Sequence, residues 1–501
     1  MGEKYNALLK HLADVRNINR AAALMGWDQQ VNMPPGGAPA RAAQRGTLAR
    51  LEHELFTSEK TARLLDEAEA ELNGAAYDSN EASMIRVVRQ DYAEKTCIPA
   101  ELVEAITEAE SIAHNIWANA RKNNDFASFV PALTRILELT RRSVDFMGYT
   151  EHPYDALVNR YERGITASRI KSIFDAHKPA LVALIAAIRE NTDAVDDSLL
   201  HQSFPVETQR VLVTQLACGI GYDFNRGRLD VAVHPFAIRF SRGDARITTR
   251  FNENDIKPAL FGTMHESGHA MYEQGIGEDI DGTMLGWGTS LGVHESQSRL
   301  WENLVGRSRG FWQWAFPQVQ AAFPDQLGKA DAESFYRAIN RVQPSFIRVE
   351  ADEATYNLHI MLRFELEMEM IAGNIPVEDL PRQWNERFEA YFGMTPPTDT
   401  LGVLQDVHWS SGLIGYFPTY ALGSILSVQF YNAAVAAHPT IPAEVARGQF
   451  DPLRTWLTEN IYRHGRKYMP DELTRRVTGE GIDCADFMTY LQTKFGELYG
   501  V

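Results

Sequence analysis

Cysteine is scarce: among 501 residues only Cys97, Cys218 and Cys484 occur, far apart and with no C-x-x-C pair. A sparse, odd set argues against a disulfide framework and suits a reducing compartment, so a cytoplasmic setting is expected. Long hydrophobic runs are missing as well. The longest, Ala180–Ile188, holds nine residues, against the roughly 20 that cross a bilayer. The opening stretch MGEKYNALLKHLADV is charged and amphipathic and has no apolar signal-peptide core. Positive charge is in deficit, with 49 Lys and Arg against 66 Asp and Glu and a formal net charge of −17. Such a surface repels phosphate backbones. The densest basic stretch, Arg239–Arg250, is broken by Asp244 and alternates with apolar residues. Neither a nucleic-acid partner nor a membrane is expected.

Helical periodicity fills most of the chain. Apolar residues recur at spacings of three and four over 40–55, 81–92, 101–120, 129–147, 207–218, 452–462 and 484–498. One region differs. Runs 237–240 and 245–251 are β-type and flank Ser241-Arg-Gly-Asp244, which predicts a hairpin.

Directly after the hairpin stands Met264-His-Glu-Ser-Gly-His-Ala270, an H-E-x-x-H motif. Residues i and i+4 of a helix share a face, so His265 and His269 can meet one zinc ion, and Glu266 between them can take a proton from water. Asn254 or Asp255 can cap that helix, and Pro258 suits its first turn. A catalytic zinc needs a third protein ligand and an open position. Tyr272 and Gly275 occupy the places where a third motif histidine would be prepared, so a glutamate from a later helix is expected. Spacing leaves Glu295 and Glu302 open, both on one face of a helix from about Ser290, whereas Glu273 and Glu278 follow the first helix too closely.

The pair H-E-S-G-H (265–269) and H-E-S-Q (294–297) resembles the thermostable-carboxypeptidase family, peptidase family M32. Further motifs of that family occur in order: His234-Pro-Phe236, Asp244-Ala-Arg-Ile-Thr248, Ile347-Arg-Val-Glu-Ala-Asp352 and Gly402-Val-Leu-Gln-Asp-Val-His-Trp409. Trp27-Asp-Gln29 and Met33-Pro34 add to the likeness near the N-terminus. The resemblance selects Glu295 as third ligand. It implies a mainly α gluzincin, with a small antiparallel β-sheet beside a deep central groove, in one peptidase domain over residues 1–501. Within it we distinguish a helical, lid-like region of about 1–220, a zinc-site core of about 221–430 and C-terminal helices of about 431–501. It further implies a homodimer that removes C-terminal residues from peptide substrates with broad specificity, using one Zn2+ per chain, with Co2+ as a substitute.

The chemistry assigns further roles. Glu266 is the general base. An oxyanion partner is sought among Tyr416, Tyr420 and His408. A substrate carboxylate is best held by a guanidinium: Arg348 first, Arg246 second, unless Arg348 pairs with Glu350 or Asp352. His234 and Asp244 are read as supporting the metal ligands or positioning the hairpin, whose edge could pair with a peptide backbone. Two other readings are an oligopeptidase that cuts internally and a helical binding protein with a structural zinc. The second is disfavoured, because structural sites saturate zinc with four ligands, often Cys.

Overall fold

The computed structural model describes residues 2–501 and is mainly helical. Expected helices occur with their ends displaced by a few residues: Ala38–Phe56, Asn80–Thr96, Ala100–Asn123, Phe126–Met147, Val206–Ile220, Asp451–Asn460 and Ala485–Tyr499. The apolar run at Ala180–Ile188 lies inside the helix Ala167–Glu190, where it buries Leu181, Leu184, Ile185 and Ile188. Among the described residues no helix is long and apolar enough to cross a membrane.

The hairpin forms as β2 (Ala237–Ser241) and β3 (Asp244–Thr249), antiparallel, with Ile238 opposite Arg246 and a register shift between Arg239 and Ser241. The sheet is not purely antiparallel. A third strand, β1 (Leu229–Val231), runs parallel to β3, and the order is β1-β3-β2. β3 is therefore central and buries Ala245, Ile247, Thr248 and Thr249, while β1 and β2 form the edges. Too short to show alternation, β1 gave no strand signal in the sequence. Two of the sequence motifs interlock here: the Phe236 N–H donates to Thr248 Oγ1 at 2.8 Å.

Apolar side chains gather in two cores. The larger runs from Ala113 to Tyr499. The smaller joins the helices Glu3–Val31, Ala38–Phe56, Glu59–Glu71 and Asn80–Thr96 through Leu8, Leu12, Phe56, Leu65 and Val88, and takes in Ile276, Ile280 and Leu285 from beyond the hairpin. The packing thus sets the first four helices apart near residue 97, whereas the helices from Ala100 to Ile220 contribute to the larger core.

Three elements position the site. The metal helix, Lys257–Gln274, follows β3; Pro258 lies in its first turn, and Asp255 accepts the Lys257 N–H at 3.0 Å. A second helix, Leu291–Arg299, starts at Ser290, whose hydroxyl accepts the Val293 N–H at 3.1 Å. Buried Glu162 secures that start by accepting from Ser290 Oγ and the Gly292 N–H, both at 2.9 Å. The third is the helix Pro418–Ala437. Glycines let the second helix sit between the other two. A Cβ on Gly268 would lie 2.6 Å from the Gln297 carbonyl oxygen, and one on Gly423 would lie 2.6 Å from Glu295 Cβ and Cγ.

Either added methyl group must displace a backbone or the Glu295 side chain. We expect Gly268→Ala and Gly423→Ala each to cost about 1–3 kcal/mol, seen as a lowered urea midpoint at unchanged slope. Wild-type midpoints in both variants would show that the three helices have room to spare.

Candidate metal centre

The metal helix points His265 and His269 toward Glu295 on the neighbouring helix. Glu295 Oε2 stands 3.5 Å from His265 Nε2 and 3.4 Å from His269 Nε2. The three ligand atoms fall within 4.8 Å of one another. Tetrahedral bonds of 2.0–2.1 Å put ligand atoms roughly 3.4 Å apart, so the spacing fits one ion. Glu266 lies alongside, buried, and its Oε2 has no hydrogen-bond partner. A buried polar atom without a partner calls for an explanation, and a water to be deprotonated supplies one.

Each imidazole is held from behind. His265 Nδ1 lies 2.9 Å from Glu302 Oε2, so Glu295 and Glu302 face opposite nitrogens of one ring. Glu302 sits on a π-helical stretch, Leu300–Val305, that continues the Leu291–Arg299 helix. His269 Nδ1 lies 2.6 Å from His294 Nδ1, and His294 Nε2 lies 2.8 Å from Glu273 Oε1. Arg299 Nε donates to Glu295 Oε1 at 2.8 Å and its Nη1 to Glu302 Oε2 at 3.3 Å.

Burial and charge act in opposition here. Desolvation would lower the His265 pKa, but Glu295, Glu302 and Glu266 outweigh it and raise it to about 9. Burial, with its positive neighbours, takes His269 down to about 4. Glu266 rises to about 7, chiefly through burial. Glu295 is driven well below the usual carboxylate range: burial opposes this, but Arg299 and His265 prevail.

The other expected residues divide into two groups. Tyr416 and Tyr420, with rings 5.3 Å apart, both lie in the field of Glu295. Tyr420 Oη is 3.5 Å from His408 Nε2. Arg348 is buried and pairs with neither Glu350 nor Asp352. Its Nε and Nη2 donate to Asp406 Oδ1 at 3.1 and 2.8 Å, and its Nη1 to Tyr356 Oη at 3.1 Å. Arg363 holds the other Asp406 oxygen at 2.6 Å, so two guanidinium groups share one carboxylate. Tyr356 links this cluster to the metal centre, since Arg299 stacks on its ring at 4.3 Å. The second group sits on the sheet. Asp244 binds Arg246 at 2.8 and 2.9 Å, and Arg246 stacks on Trp27 and Phe240. His234 is exposed in the bend before β2.

Sequence reasoning weighed Glu302 only as a ligand and missed its place behind His265, and it assigned nothing to His294, Arg299, Tyr356 or Asp406. It set Glu273 aside, although Glu273 stands one turn beyond His269 on the same helical face, a spacing that could have revealed it.

An ion bound through His265 Nε2 would require that nitrogen to lose its proton, and the His265 pKa is raised to about 9. Protein stripped by chelation should therefore release about one proton per divalent ion bound at pH 8, and almost none at pH 10. Calorimetry in buffers of different ionisation enthalpy measures this, and equal release at both pH values would contradict it.

A family model for carboxypeptidase Taq (M32) metallopeptidases matches residues 7–495. The chain is 40% identical over 506 residues to thermostable carboxypeptidase 1 of Thermus thermophilus, covering 99% of each. It is 38% identical over 488 residues to carboxypeptidase 1 of Bacillus subtilis, covering 97% of each. The crystal structure of an M32 carboxypeptidase from Deinococcus radiodurans superposes with a TM-score of 0.97 at 42% identity, covering 100% of both chains. With the H-E-x-x-H helix, the Glu295 helix and the four flanking motifs all in place, this chain belongs to peptidase family M32 and is a metallocarboxypeptidase.

Proposed function

We propose that the chain is a zinc carboxypeptidase of broad specificity, with His265, His269 and Glu295 as ligands and Glu266 as general base. The observation that carries this reading is the convergence of the three ligand atoms beside a buried glutamate oxygen with no partner. Two neutral-capable imidazoles and one carboxylate suit zinc, and the same set accepts cobalt.

When bound, the ion would polarise the scissile carbonyl and acidify a water. Glu266 accepts that water's proton and passes it to the departing nitrogen. Tyr416 or Tyr420 donates to the developing oxyanion; burial raises both phenol pKa values, so both remain protonated donors at neutral pH. His408 is kept neutral, lowered to about 4 mainly by burial with Arg348 and Arg363 nearby, and it orients Tyr420.

The Arg348–Arg363–Asp406 cluster carries one net positive charge from two guanidinium groups and one carboxylate. It is the better receiver for a substrate carboxylate. Arg246 is already matched by Asp244, and with His234 and Asp244 it is assigned to shaping the hairpin, whose edge can receive a peptide backbone. The helical region of about 1–220 is assigned to a lid beside the zinc-site core of about 221–430, with the C-terminal helices following from about 431. Three unpaired cysteines fit a cytoplasmic enzyme, and the relationship to family M32 supports a homodimer, which sedimentation velocity tests.

Glu266→Gln should keep its metal, since the residue is not a ligand, yet lose about 10²–10⁴-fold in kcat. Near-normal turnover would remove Glu266 from the role of base. A charge-assisted pair contributes roughly 1.5–3 kcal/mol, so amidating a peptide's C-terminus should lower wild-type kcat/KM by about 10–100-fold. Arg348→Ala should lose that much on free-acid peptides and little more on amidated ones. Equal sensitivity of mutant and wild type to amidation would move the carboxylate elsewhere. Internal fragments with no effect of amidation would favour an oligopeptidase.

A further inference from the structure

The two metal-binding imidazoles are supported differently. His265 meets a carboxylate directly, at Glu302, whereas His269 meets another imidazole, His294, which in turn meets Glu273. We propose that His294 is a positioning residue for metal binding, fixing the tautomer and ring orientation of His269 through a one-directional hydrogen-bond chain that ends on Glu273. This inference rests on the metal reading above.

The direction follows from the atoms. His269 turns Nε2 toward Glu295, so the lone pair must be on Nε2 and the proton on Nδ1 for ligation. A metal-bound histidine ordinarily donates its other ring N–H to an acceptor that fixes the tautomer. The Nδ1–Nδ1 contact of 2.6 Å allows one proton only, so His294 accepts on Nδ1 and carries its own proton on Nε2. That proton points at Glu273 Oε1, 2.8 Å away. The opposite assignment would place a proton on His269 Nε2, facing the ion, and abolish ligation.

Glu273 is itself fixed. Its Oε2 lies 3.3 Å from Arg239 Nε, and Arg239 reaches from β2 to the Gly286 carbonyl and Asp281. Arg20 of the first helix donates to the Arg239 carbonyl and stacks on Trp287 at 3.6 Å. The chain of contacts from His269 therefore runs through Arg239 to the N-terminal helices.

The test uses the full-length protein, stripped and reloaded. Zinc affinity is measured by chelator competition, and Co2+-loaded protein is examined by visible absorption, which reports ligand geometry independently of turnover. His294→Phe should bind zinc about 10–100-fold more weakly, with altered Co2+ bands. His294→Asn keeps an acceptor where Nδ1 stood and should recover most of that affinity. Wild-type affinity and an unchanged Co2+ spectrum in His294→Phe would overturn the proposal, as would an Asn variant no better than Phe. Should His294→Phe fail to fold by circular dichroism, Glu273→Gln decides. It keeps the shape of the side chain but removes the anion, and about tenfold weaker binding is expected; unchanged binding overturns the chain. If wild-type protein binds no zinc, the metal reading falls and takes this inference with it. If wild type binds and the variants match it, the relay alone is wrong.

Discussion

The Glu295 carboxylate reaches two imidazoles because the backbones on both sides of its helix come unusually close. Gly268 admits the Gln297–Ser298 peptide from one side, and Gly423 admits the Glu295 side chain from the other. The distances among His265, His269 and Glu295 are thereby set by close packing at two glycines, against backbone on one side and the Glu295 side chain on the other, in an interior with little room to relax. Glu162 and Ser290 secure the start of that helix, and the π-helical stretch at its end brings Glu302 to His265. The triangle of His265, His269 and Glu295 is a consequence of this three-helix wedge.

Charge balance keeps the triangle assembled. Glu295 and Glu302 share Arg299, and Arg307 lies 3.5 Å from the free Glu302 oxygen. The carboxylates are thus held in place by guanidinium groups as well as by the imidazoles. Glu266 Oε2, by contrast, has neither a hydrogen-bond partner nor a guanidinium group against it. Fixing the others in advance means that little reorganisation is required when a substrate arrives.

Much of this was legible in the sequence, for identifiable reasons. The i, i+4 spacing of His265 and His269 and the apolar periodicity of the long helices are local properties. The parallel β1 was not legible, because three residues carry no period and its partner strand follows in the chain. Arg348 could be singled out by its chemistry, but its partner Asp406 stands 58 positions later, a separation that no local rule spans. His294 stands in the H-E-S-Q motif with no local cue to its role, because only the fold brings its ring edge to His269, with the Nδ1 atoms 2.6 Å apart. Residues supporting a site from behind come from different elements, and their pairing exists only once those elements meet.

The small core has a consequence for synthesis. Leu8, Leu12, Phe56 and Val88 lie in the first helices, but their partners Ile276, Ile280 and Leu285 begin only 188 residues after Val88, the last of the four (276 − 88). At ribosomal speeds of 5–20 residues per second, the nascent N-terminal helices wait about 10–40 s for the segment that completes their apolar contacts. Over that interval part of their hydrophobic face stays in water, where a holding chaperone would find it. The segment that ends the wait follows directly on the metal helix, so the last apolar contacts of the chain's beginning close just as the H-E-x-x-H motif has been made.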